Sequence, residues 1–269
     1  MRLQFNGIFM HGVRPKKFLG QHFLKDQNIA QNIVNALSHM GDGETVIEIG
    51  PGTGVLTNFI AQKEFKEIIL IEIDRESIAY LREKFTSKNI TILEDNFLKI
   101  DIDNISEFDL SIIGNFPYNI SSQILFKVIE QRSRIKEVVC MLQKEVGERI
   151  CASHGNKTYG ILSVLIGAYY NSEILFNVSP EVFIPPPKVD SVVIKLKRKE
   201  NLFLDCDEKL FKKIVKQGFQ NRRKTLRNAL KPIFLPSELT QDDIFNKRAE
   251  QLSVADYILL TKKIKHWKK

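Results

Sequence analysis

The chain has 269 residues, of which 43% are hydrophobic and 27% are charged, as is typical of a globular protein with one full domain and a small second one. Its apolar runs stay below the roughly 18 residues that a membrane helix needs, and its first residues lack the compact apolar stretch of a secretory signal, so we expect a cytoplasmic protein with no membrane partner. Three cysteines without a Cys-x-x-Cys pair argue against a disulfide framework and a thiolate zinc site, and we expect no metal.

The net charge of +8 is concentrated at the two ends of the chain. Residues 1–25 carry five basic and no acidic side chains, residues 26–199 carry 19 basic against 23 acidic, and residues 200–269 carry 16 against 9. Basic ends around a mildly acidic middle are typical of a catalytic body with polyanion-binding arms, since such arms neutralise phosphates. A solvated lysine-rich surface is the alternative, and charge alone leaves both open.

The middle of the chain alternates short β-branched runs with longer amphipathic segments, a pattern that predicts a parallel sheet covered by helices. The predicted strands are Thr45–Ile49, Glu67–Ile73, Ile90–Leu93, Leu110–Ile113 and Glu137–Leu142. The predicted helices between them are Val55–Gln62, Glu76–Lys84 and Ser121–Gln131, with Ser121 and Ser122 as candidate N-caps of the last. The sequence therefore predicts a doubly wound α/β domain.

Further along the chain, the pattern becomes mainly helical. A helical stretch over Gly160–Tyr170 precedes two β-like runs, Glu173–Val178 and Asp190–Lys197, which flank a loop with four prolines and are expected to close the sheet edge. From about Asn201, residues recur at helix spacing, first Leu210, Phe211, Ile214, Val215 and Phe219 and later Ala255, Ile258, Leu259 and Lys262. We predict a basic arm over residues 1–20, the α/β domain over 21–199 and a small helical domain over 200–269.

The first predicted strand runs into the turn Gly50–Gly54, where glycine at every second position lets a ligand approach the backbone. The turn lacks the third glycine of a dinucleotide site and the Gly-Lys-Ser/Thr of a phosphate loop. Glu72 lies at the end of the next strand and Asp95 follows the strand after it, so both reach the same sheet edge. There Glu72 could accept ribose hydroxyl hydrogens, and Asp95 could accept from an adenine amino group. A tight turn without a ligand and solvated acids are the alternatives.

The most specific motif follows the fourth strand, where the chain reads Asn115-Phe116-Pro117-Tyr118. An adenine amine is a poor nucleophile because its lone pair is delocalised into the ring, so an enzyme must draw the nitrogen toward tetrahedral geometry with hydrogen-bond acceptors. The Asn115 side-chain oxygen and the Phe116 carbonyl could accept the amine hydrogens. Pro117 would fix the turn and Tyr118 could stack on the base. A β-turn with a buried tyrosine is the alternative.

Several segments together resemble the ribosomal RNA adenine dimethyltransferases over roughly residues 16–260. They are Gly20–Leu24, Glu48–Gly54, Asn115–Ser121, Phe183–Ser191 and Asn221–Asn228. The basic segment 222–225 and the later segment 248–253 resemble the small-subunit enzymes rather than the large-subunit antibiotic-resistance enzymes. The resemblance implies a Rossmann-like class I methyltransferase domain with a mostly parallel seven-stranded sheet, followed by a small C-terminal all-helical domain.

The same resemblance implies S-adenosylmethionine as the cofactor. The residues carried over to its site are His22, Leu24, Gly50, Gly52, Glu72, Asp95 and Asn115. The family commonly has Asn at the position of His22 and Leu at the position of Phe116. We expect activity to survive both differences, because His22 can still donate a hydrogen bond and Phe116 would act through its backbone. A surface imidazole beside the site is the alternative for His22.

Phe183 is similar in position to the family's aromatic residue that closes over the target base. With Tyr118 it would stack on both faces of a flipped adenine, and it completes the predicted catalytic set of Asn115, Phe116, Pro117, Tyr118 and Phe183. A core phenylalanine is the alternative.

A basic cluster in the smaller domain is the predicted RNA-binding face. It consists of Arg222, Arg223, Lys224 and Arg227, which are predicted to fall on consecutive turns of one helix. Lys16 and Lys17, with Arg14, would provide a second contact from the arm. A solvated helix face is the alternative.

The sequence thus predicts S-adenosylmethionine-dependent N6,N6-dimethylation of two adjacent adenosines in small-subunit rRNA, as part of ribosome biogenesis. The expected partner is the small ribosomal subunit or its precursor, and family members resemble monomers. Two alternatives stay open. One is a large-subunit rRNA adenine methyltransferase of the resistance type, and the other is a non-catalytic assembly factor that uses the fold as an RNA clamp.

Overall fold

The computed structural model describes residue 10 and residues 12–38, 44–106 and 109–267, so residues 1–9 and 11 of the predicted arm lie outside the described residues. The chain divides into two compact units, Met1–Gly147 with Glu173–Arg198 and Glu148–Ser172 with Lys199–Lys269. Residues 148–172 thus group with the second unit, whereas the predicted boundary lies at residue 200.

Strands and helices alternate through the first part of the chain, and helices dominate the last part. The strands are β1 Phe23–Leu24, β2 Thr45–Ile49, β3 Glu67–Glu72, β4 Ile90–Glu94, β5 Leu110–Asn115, β6 Ile135–Gln143, β7 Tyr170–Val178, β8 Phe183–Ile184 and β9 Ser191–Arg198. The α-helices are α1 Gln27–Asn35, α2 Thr57–Ile60, α3 Arg75–Lys84, α4 Ser121–Glu130, α5 Lys144–Cys151, α6 Ile161–Tyr169, α7 Glu208–Gln220, α8 Leu226–Ala229 and α9 Val254–Trp267.

Within the described residues, seven strands form one sheet in the order β4-β3-β2-β5-β6-β9-β7, and β1 pairs with β8 separately. The pairs β2–β3, β3–β4, β2–β5 and β5–β6 are parallel, and β9 runs antiparallel to β6. In this register Ile47 lies between Ile69 and Ile112. The predicted mostly parallel seven-stranded sheet is confirmed, including the two runs expected at its edge.

The apolar runs of the sequence become the interior strands of this sheet. Every residue of β2 is buried, and β3 and β5 are buried at every position but one. Such strands are covered by helices on both faces, so they carry continuous Val, Ile and Leu rather than alternating residues. The edge strand β4 is part exposed along its length, as an edge position allows.

The strand order creates a crevice at the carboxyl end of β2. Because β2 lies between β3 and β5, the chain leaves β2 where the strand order reverses, and ligands of open α/β sheets bind at such a point. The turn Gly50–Gly54, Glu72 at the end of β3 and Asn115 at the end of β5 all lie at this sheet edge.

Two local predictions in this unit are wrong. Helix α2 is shorter than the predicted Val55–Gln62, because residues 52–56 form a turn that continues from the glycines. Neither predicted serine caps α4. Its N-cap is Ile120, which makes no side-chain cap, and the buried Ser121 hydroxyl donates back to the Tyr118 carbonyl at 3.3 Å.

The second unit is helical and packs around aromatic side chains. Phe211 on α7 and Tyr257 on α9 meet edge to face with ring centroids 6.5 Å apart, and Phe219 stacks on Tyr257 at 6.3 Å. The Tyr257 hydroxyl donates to the Ala249 carbonyl at 2.9 Å, which satisfies the polar end of a buried ring. The predicted small C-terminal helical region is confirmed.

Two details of the second unit differ from prediction. The basic residues 222–227 do not share one helix, because α7 ends at Gln220 and the Lys224 amide donates to the Asn221 carbonyl at 2.8 Å in a turn before α8. Helix α9 buries Tyr257, Leu260, Thr261 and Ile264, whereas Leu259 from the predicted spacing is 54% exposed. Along the described chain, every helix is too short or too polar to cross a membrane.

Candidate active site

The glycine turn after β2 adopts a backbone that other residues disfavour. Gly50, Gly52 and Gly54 have φ of 65°, 55° and 72°, in the left-handed region. A Cβ on Gly52 would lie 2.9 Å from the Phe23 ring, whereas a Cβ on Gly50 would meet nothing within 4 Å. Since Gly50 lines the cavity at this sheet edge, its missing side chain leaves the backbone open to a ligand there.

Glu72 is held rigidly in the wall of that cavity. The carboxylate is 5% exposed and accepts hydrogen bonds from the amides of Gly52 at 3.0 Å, Ile73 at 2.9 Å and Asp74 at 3.0 Å. Burial raises the pKa of Glu72, although the three amides oppose that shift. The carboxylate is therefore pre-oriented at the end of β3, with the glycine turn as one of its supports.

Asp95 lies one strand further along the same edge. Its amide donates to the Glu72 carbonyl at 3.0 Å, and its Oδ1 accepts from the Asn96 amide at 2.6 Å. In contrast to Glu72 it is exposed, and it lines the cavity with Phe97 and Leu98. The cavity thus offers one buried and one open carboxylate on adjacent strands.

Glu48 is a buried acid to which the sequence motifs assign no role. Its side chain is 1% exposed inside β2, lines the cavity and accepts a hydrogen bond from the Thr57 hydroxyl at 2.6 Å. Burial raises its pKa to about 8, the Thr57 bond opposes this, and the Glu72 carboxyl adds to it. A charged glutamate within a strand that is predicted to be buried on both faces is the sequence feature that could have indicated Glu48.

Asn115 ends β5 with its side chain in a defined orientation. Its Nδ2 donates to the His22 backbone carbonyl at 2.8 Å. Because a carbonyl can only accept, the amide nitrogen must face His22 and the side-chain oxygen must face away from it. Among the described residues, no hydrogen-bond donor reaches that oxygen within bonding distance, so it is available as an acceptor.

Phe116 and Pro117 follow directly and hold the turn against the sheet. The Phe116 amide donates to the Met141 carbonyl at 3.0 Å, and its ring is 1% exposed. The ring therefore acts as a core anchor, which is consistent with a functional contribution through the backbone alone.

Tyr118 lies in the cavity wall, and contacts of both its hydroxyl and its ring hold it in place. Its hydroxyl is 2.5 Å from the Ser191 hydroxyl, and its ring stacks on His22 with centroids 5.5 Å apart and an interplanar angle of 27°. The His22 Nδ1 lies 2.7 Å from the Pro185 carbonyl oxygen and must carry the hydrogen of that bond. His22 thus contacts the site through its ring and its backbone carbonyl.

The position of Phe183 differs from the prediction. It is 1% exposed, pairs with Leu24 across the small β1–β8 sheet and belongs to the hydrophobic core of the first unit. The described cavity wall does not include it, so in this conformation its ring does not face the space beside Tyr118. The alternative of a core phenylalanine fits the observed packing. A loop stiffened by prolines can direct an aromatic side chain into the core as well as toward the cavity.

The cavity brings together most of the predicted cofactor and catalytic residues. Its lining includes His22, Leu24, Gly50, Gly52, Glu72, Asp95, Asn115, Phe116, Pro117 and Tyr118. These residues come from five separate segments of the sequence, and the fold brings them together around one cavity. The described residues include no cluster of three or more His, Cys, Asp or Glu that could hold a metal ion.

Of the two lysines predicted as RNA contacts in the arm, one is paired within the protein and one is exposed. Lys16 forms an ion pair with the buried Asp74 and lies 3.4 Å from Glu76, so it ties the arm to the domain rather than facing solvent. The hydrogen bond from the Lys16 ammonium to Asp74 raises the pKa of Lys16. Burial of Asp74 opposes ionisation, but its bonds to Lys16 and Ser77 lower its pKa overall. Lys17 is exposed.

The basic cluster of the second unit also contains both partnered and exposed side chains. Arg222 donates to the carbonyls of Asn156 and Lys157 and lies 3.9 Å from the Glu250 carboxylate. Arg223 and Lys224 are exposed in the turn after α7. Arg227 is exposed as well, although its Nε donates to the Thr240 carbonyl at 3.1 Å.

Comparisons with known proteins agree with this geometry. The family model described as ribosomal RNA adenine dimethylase matches residues 12–266. A Flavobacterium johnsoniae protein named ribosomal RNA small subunit methyltransferase A is 54% identical over 256 residues, covering 95% of this chain and 97% of the relative. A Bacteroides fragilis protein of the same name is 52% identical over 254 residues, covering 94% and 93%.

Solved structures show the same fold. A dimethyladenosine transferase from Plasmodium falciparum superposes with a TM-score of 0.80 at 28% identity, covering 92% of this chain and 98% of that one. The 23S rRNA methyltransferase ErmE superposes with a TM-score of 0.71 at 21% identity over 90% and 99% of the two chains, which shows the fold alone. The Rossmann-like class I methyltransferase fold is confirmed, and the chain belongs to the ribosomal RNA adenine dimethylase family.

Proposed function

We propose that the protein uses S-adenosylmethionine to dimethylate N6 of two adjacent adenosines in small-subunit rRNA. The orientation of Asn115 carries this proposal. Its amide nitrogen is engaged by the His22 carbonyl, so its oxygen is left as an acceptor at the end of β5. An acceptor without a strong base is what an adenine amine requires, since its lone pair must be drawn out of the ring.

The residues of the cavity fit the cofactor. When bound, S-adenosylmethionine supplies a methyl group on a positively charged sulfur. Gly50 lines the cavity with no atom where a Cβ would project, and Glu72 is fixed by three amides in a position suited to ribose hydroxyls. Asp95 is open to accept from an adenine amino group. His22 and Leu24 would complete the wall on the arm side.

The catalytic roles follow from the turn at the end of β5. The target adenine must leave its stack to reach the cavity. There the Asn115 oxygen and the Phe116 carbonyl would accept the N6 hydrogens, while Pro117 keeps these two acceptors at a fixed spacing. Positioning of this kind can supply much of the acceleration in a displacement reaction. After one methylation a single hydrogen remains to be accepted, so the same pair can serve the second transfer.

Tyr118 would stack on the flipped base from one side. Its ring is already stacked on His22 and its hydroxyl is tied to Ser191, so it needs little reordering on binding. Stacking of Phe183 on the other face stays part of the proposal. It requires the segment that contains β8 to carry that ring out of the core.

Phosphate binding is assigned to the exposed cations. Arg223, Lys224 and Arg227 in the second unit and Lys17 in the arm are exposed, and such side chains neutralise RNA phosphates. Lys16 and Arg222, which have partners inside their own units, would contribute mainly by holding the backbone in place. The small ribosomal subunit or its precursor is the proposed partner, with the protein acting as a cytoplasmic monomer.

Methyl transfer to purified ribosomal subunits tests the proposal. Labelled S-adenosylmethionine is incubated with small and large subunits that lack the modification, and the nucleosides are separated by mass. Dimethyladenosine in the small subunit is the expected product. Label confined to the large subunit would favour the resistance-type activity, and tight binding without label would favour an assembly factor.

A further inference from the structure

Phe18 is an exposed aromatic residue at the mouth of the cavity. It is 79% exposed in the 3-10 turn Lys17–Leu19, and it lines the cavity together with Leu19 and Gly20. Two other strongly exposed phenylalanines, Phe203 and Phe234, lie in the second unit and do not line this cavity.

The turn that carries Phe18 is anchored on both sides. Before it, the Lys16 ammonium pairs with the buried Asp74, and the Lys16 amide donates to Gln21 Oε1 at 2.8 Å. After it, Gly20 takes a φ of 67° and its amide donates to the Lys17 carbonyl at 3.0 Å. The exposure of Phe18 is therefore a property of a held turn rather than of a loose end of the chain.

An exposed phenylalanine at this place has an energetic consequence. Burying such a side chain stabilises a protein, and this turn forgoes that gain. Isolated surface apolar residues are common and need no explanation by themselves. Phe18 differs in its surroundings, because it borders the cavity, adjoins the exposed Lys17 and belongs to a segment, residues 1–25, without a single acid.

Aromatic rings beside cations are the usual means of binding unpaired nucleotides. The cation attracts the phosphate, and the ring stacks on a base of any sequence. An enzyme that flips one adenosine also breaks the stack of its neighbour, whose exposed face then needs a partner. A ring at the mouth of the cavity is placed to provide that partner.

We propose that Phe18 stacks on the unpaired base that neighbours the target adenosine, with Lys17 on the adjoining phosphate. This inference rests on the proposed function, since it requires an RNA substrate in the cavity. Phe18 would act as a positioning residue. It would hold the strand while the target base occupies the cavity, and it would favour substrates with two adjacent unpaired bases.

Substitutions at Phe18 test the stacking in methyl-transfer assays with small subunits. Phe18→Ala should raise KM for the subunit about tenfold, the equivalent of 1.4 kcal/mol and within the range of one base–aromatic contact. Phe18→Trp should keep the wild-type KM, whereas Phe18→Leu should behave like the alanine variant because it is apolar but cannot stack. Affinity for S-adenosylmethionine and the Tm should stay unchanged in all three.

Phe203→Ala is the matched control, since Phe203 is 77% exposed and lies away from the cavity lining. It should leave KM unaltered. A wild-type KM for Phe18→Ala, or for Phe18→Leu, would overturn the stacking while leaving the proposed function intact, and an equal effect of Phe203→Ala would overturn it as well. Wild-type protein that transfers no label to small subunits would overturn the proposed function and this inference together.

Discussion

Replacing Glu48 with glutamine is expected to remove a pH-dependent loss of stability. Glu48 is 1% exposed in β2, and burial raises its pKa from the ordinary 4.5 to about 8 despite the Thr57 hydrogen bond. In the unfolded chain the carboxyl returns to its ordinary pKa. Between these two values the folded protein therefore holds a proton that the unfolded chain has released, so the free energy of unfolding falls as pH rises through this window.

The size of the effect follows from the width of the window. A shift from 4.5 to about 8 corresponds to about 5 kcal/mol at 1.4 kcal/mol per pH unit. Glutamine has nearly the shape of the protonated carboxyl and can still accept from Thr57, but it never ionises. The Glu48→Gln variant should match the wild type at about pH 4 and exceed it by about 4 kcal/mol at about pH 8.

Urea unfolding without cofactor, followed by circular dichroism at intervals across this pH range, measures the difference. Thr57→Val is a matched control. It loses a hydrogen bond worth about 1 kcal/mol but keeps the buried carboxyl. Because the Thr57 bond opposes the rise of the Glu48 pKa, the free energy of unfolding of this variant should fall with pH at least as much as in the wild type. Parallel pH profiles for the wild type and the glutamine variant would refute burial of an ionisable group as the cause.

Three further predictions concern Asn115, the glycine turn and the basic residues. Asn115→Ala should lower kcat about 100-fold or more in saturated methyl-transfer assays with little change in RNA affinity, because an acceptor for the amine is lost, and near-normal turnover would contradict its role. Gly52→Ala, whose Cβ would lie 2.9 Å from a ring carbon, should weaken binding of S-adenosylmethionine at least about tenfold in calorimetry. Gly155→Ala, with φ of 84° and nothing within 4 Å, should cost only about 1 kcal/mol of backbone strain and leave that affinity unchanged. Equal affinity in both variants would count against a role of the glycine turn in cofactor binding. Arg223→Ala should reduce the slope of log binding constant against log salt by about 1, whereas Arg222→Ala should chiefly lower the Tm, since its guanidinium bonds within its own unit. The opposite assignment would show that the inward-facing arginine is the RNA contact.

Features of the fold that depend on local pattern can be predicted from the amino-acid sequence. Runs such as Thr45–Ile49 and Leu110–Ile113 predict interior strands because a parallel sheet buries both of their faces. Glycine at every second position after β2 predicts an open turn, because only glycine adopts these φ values without strain. The Asn-Phe-Pro-Tyr motif predicts acceptors at a strand end. These are relations between near neighbours, so they can be seen along the chain.

Contacts between distant segments determine which polar groups are free and which aromatic residues are exposed. Asn115 is oriented by a carbonyl 93 residues away, and Lys16 is neutralised by an aspartate 58 residues away. Phe183, expected at the site, is buried by its pairing with Leu24, whereas Phe18, which no motif marks, stands at the cavity mouth. Composition and spacing do not record such contacts. These contacts depend on which distant segments the sheet brings together and on which partner lies within reach of each side chain.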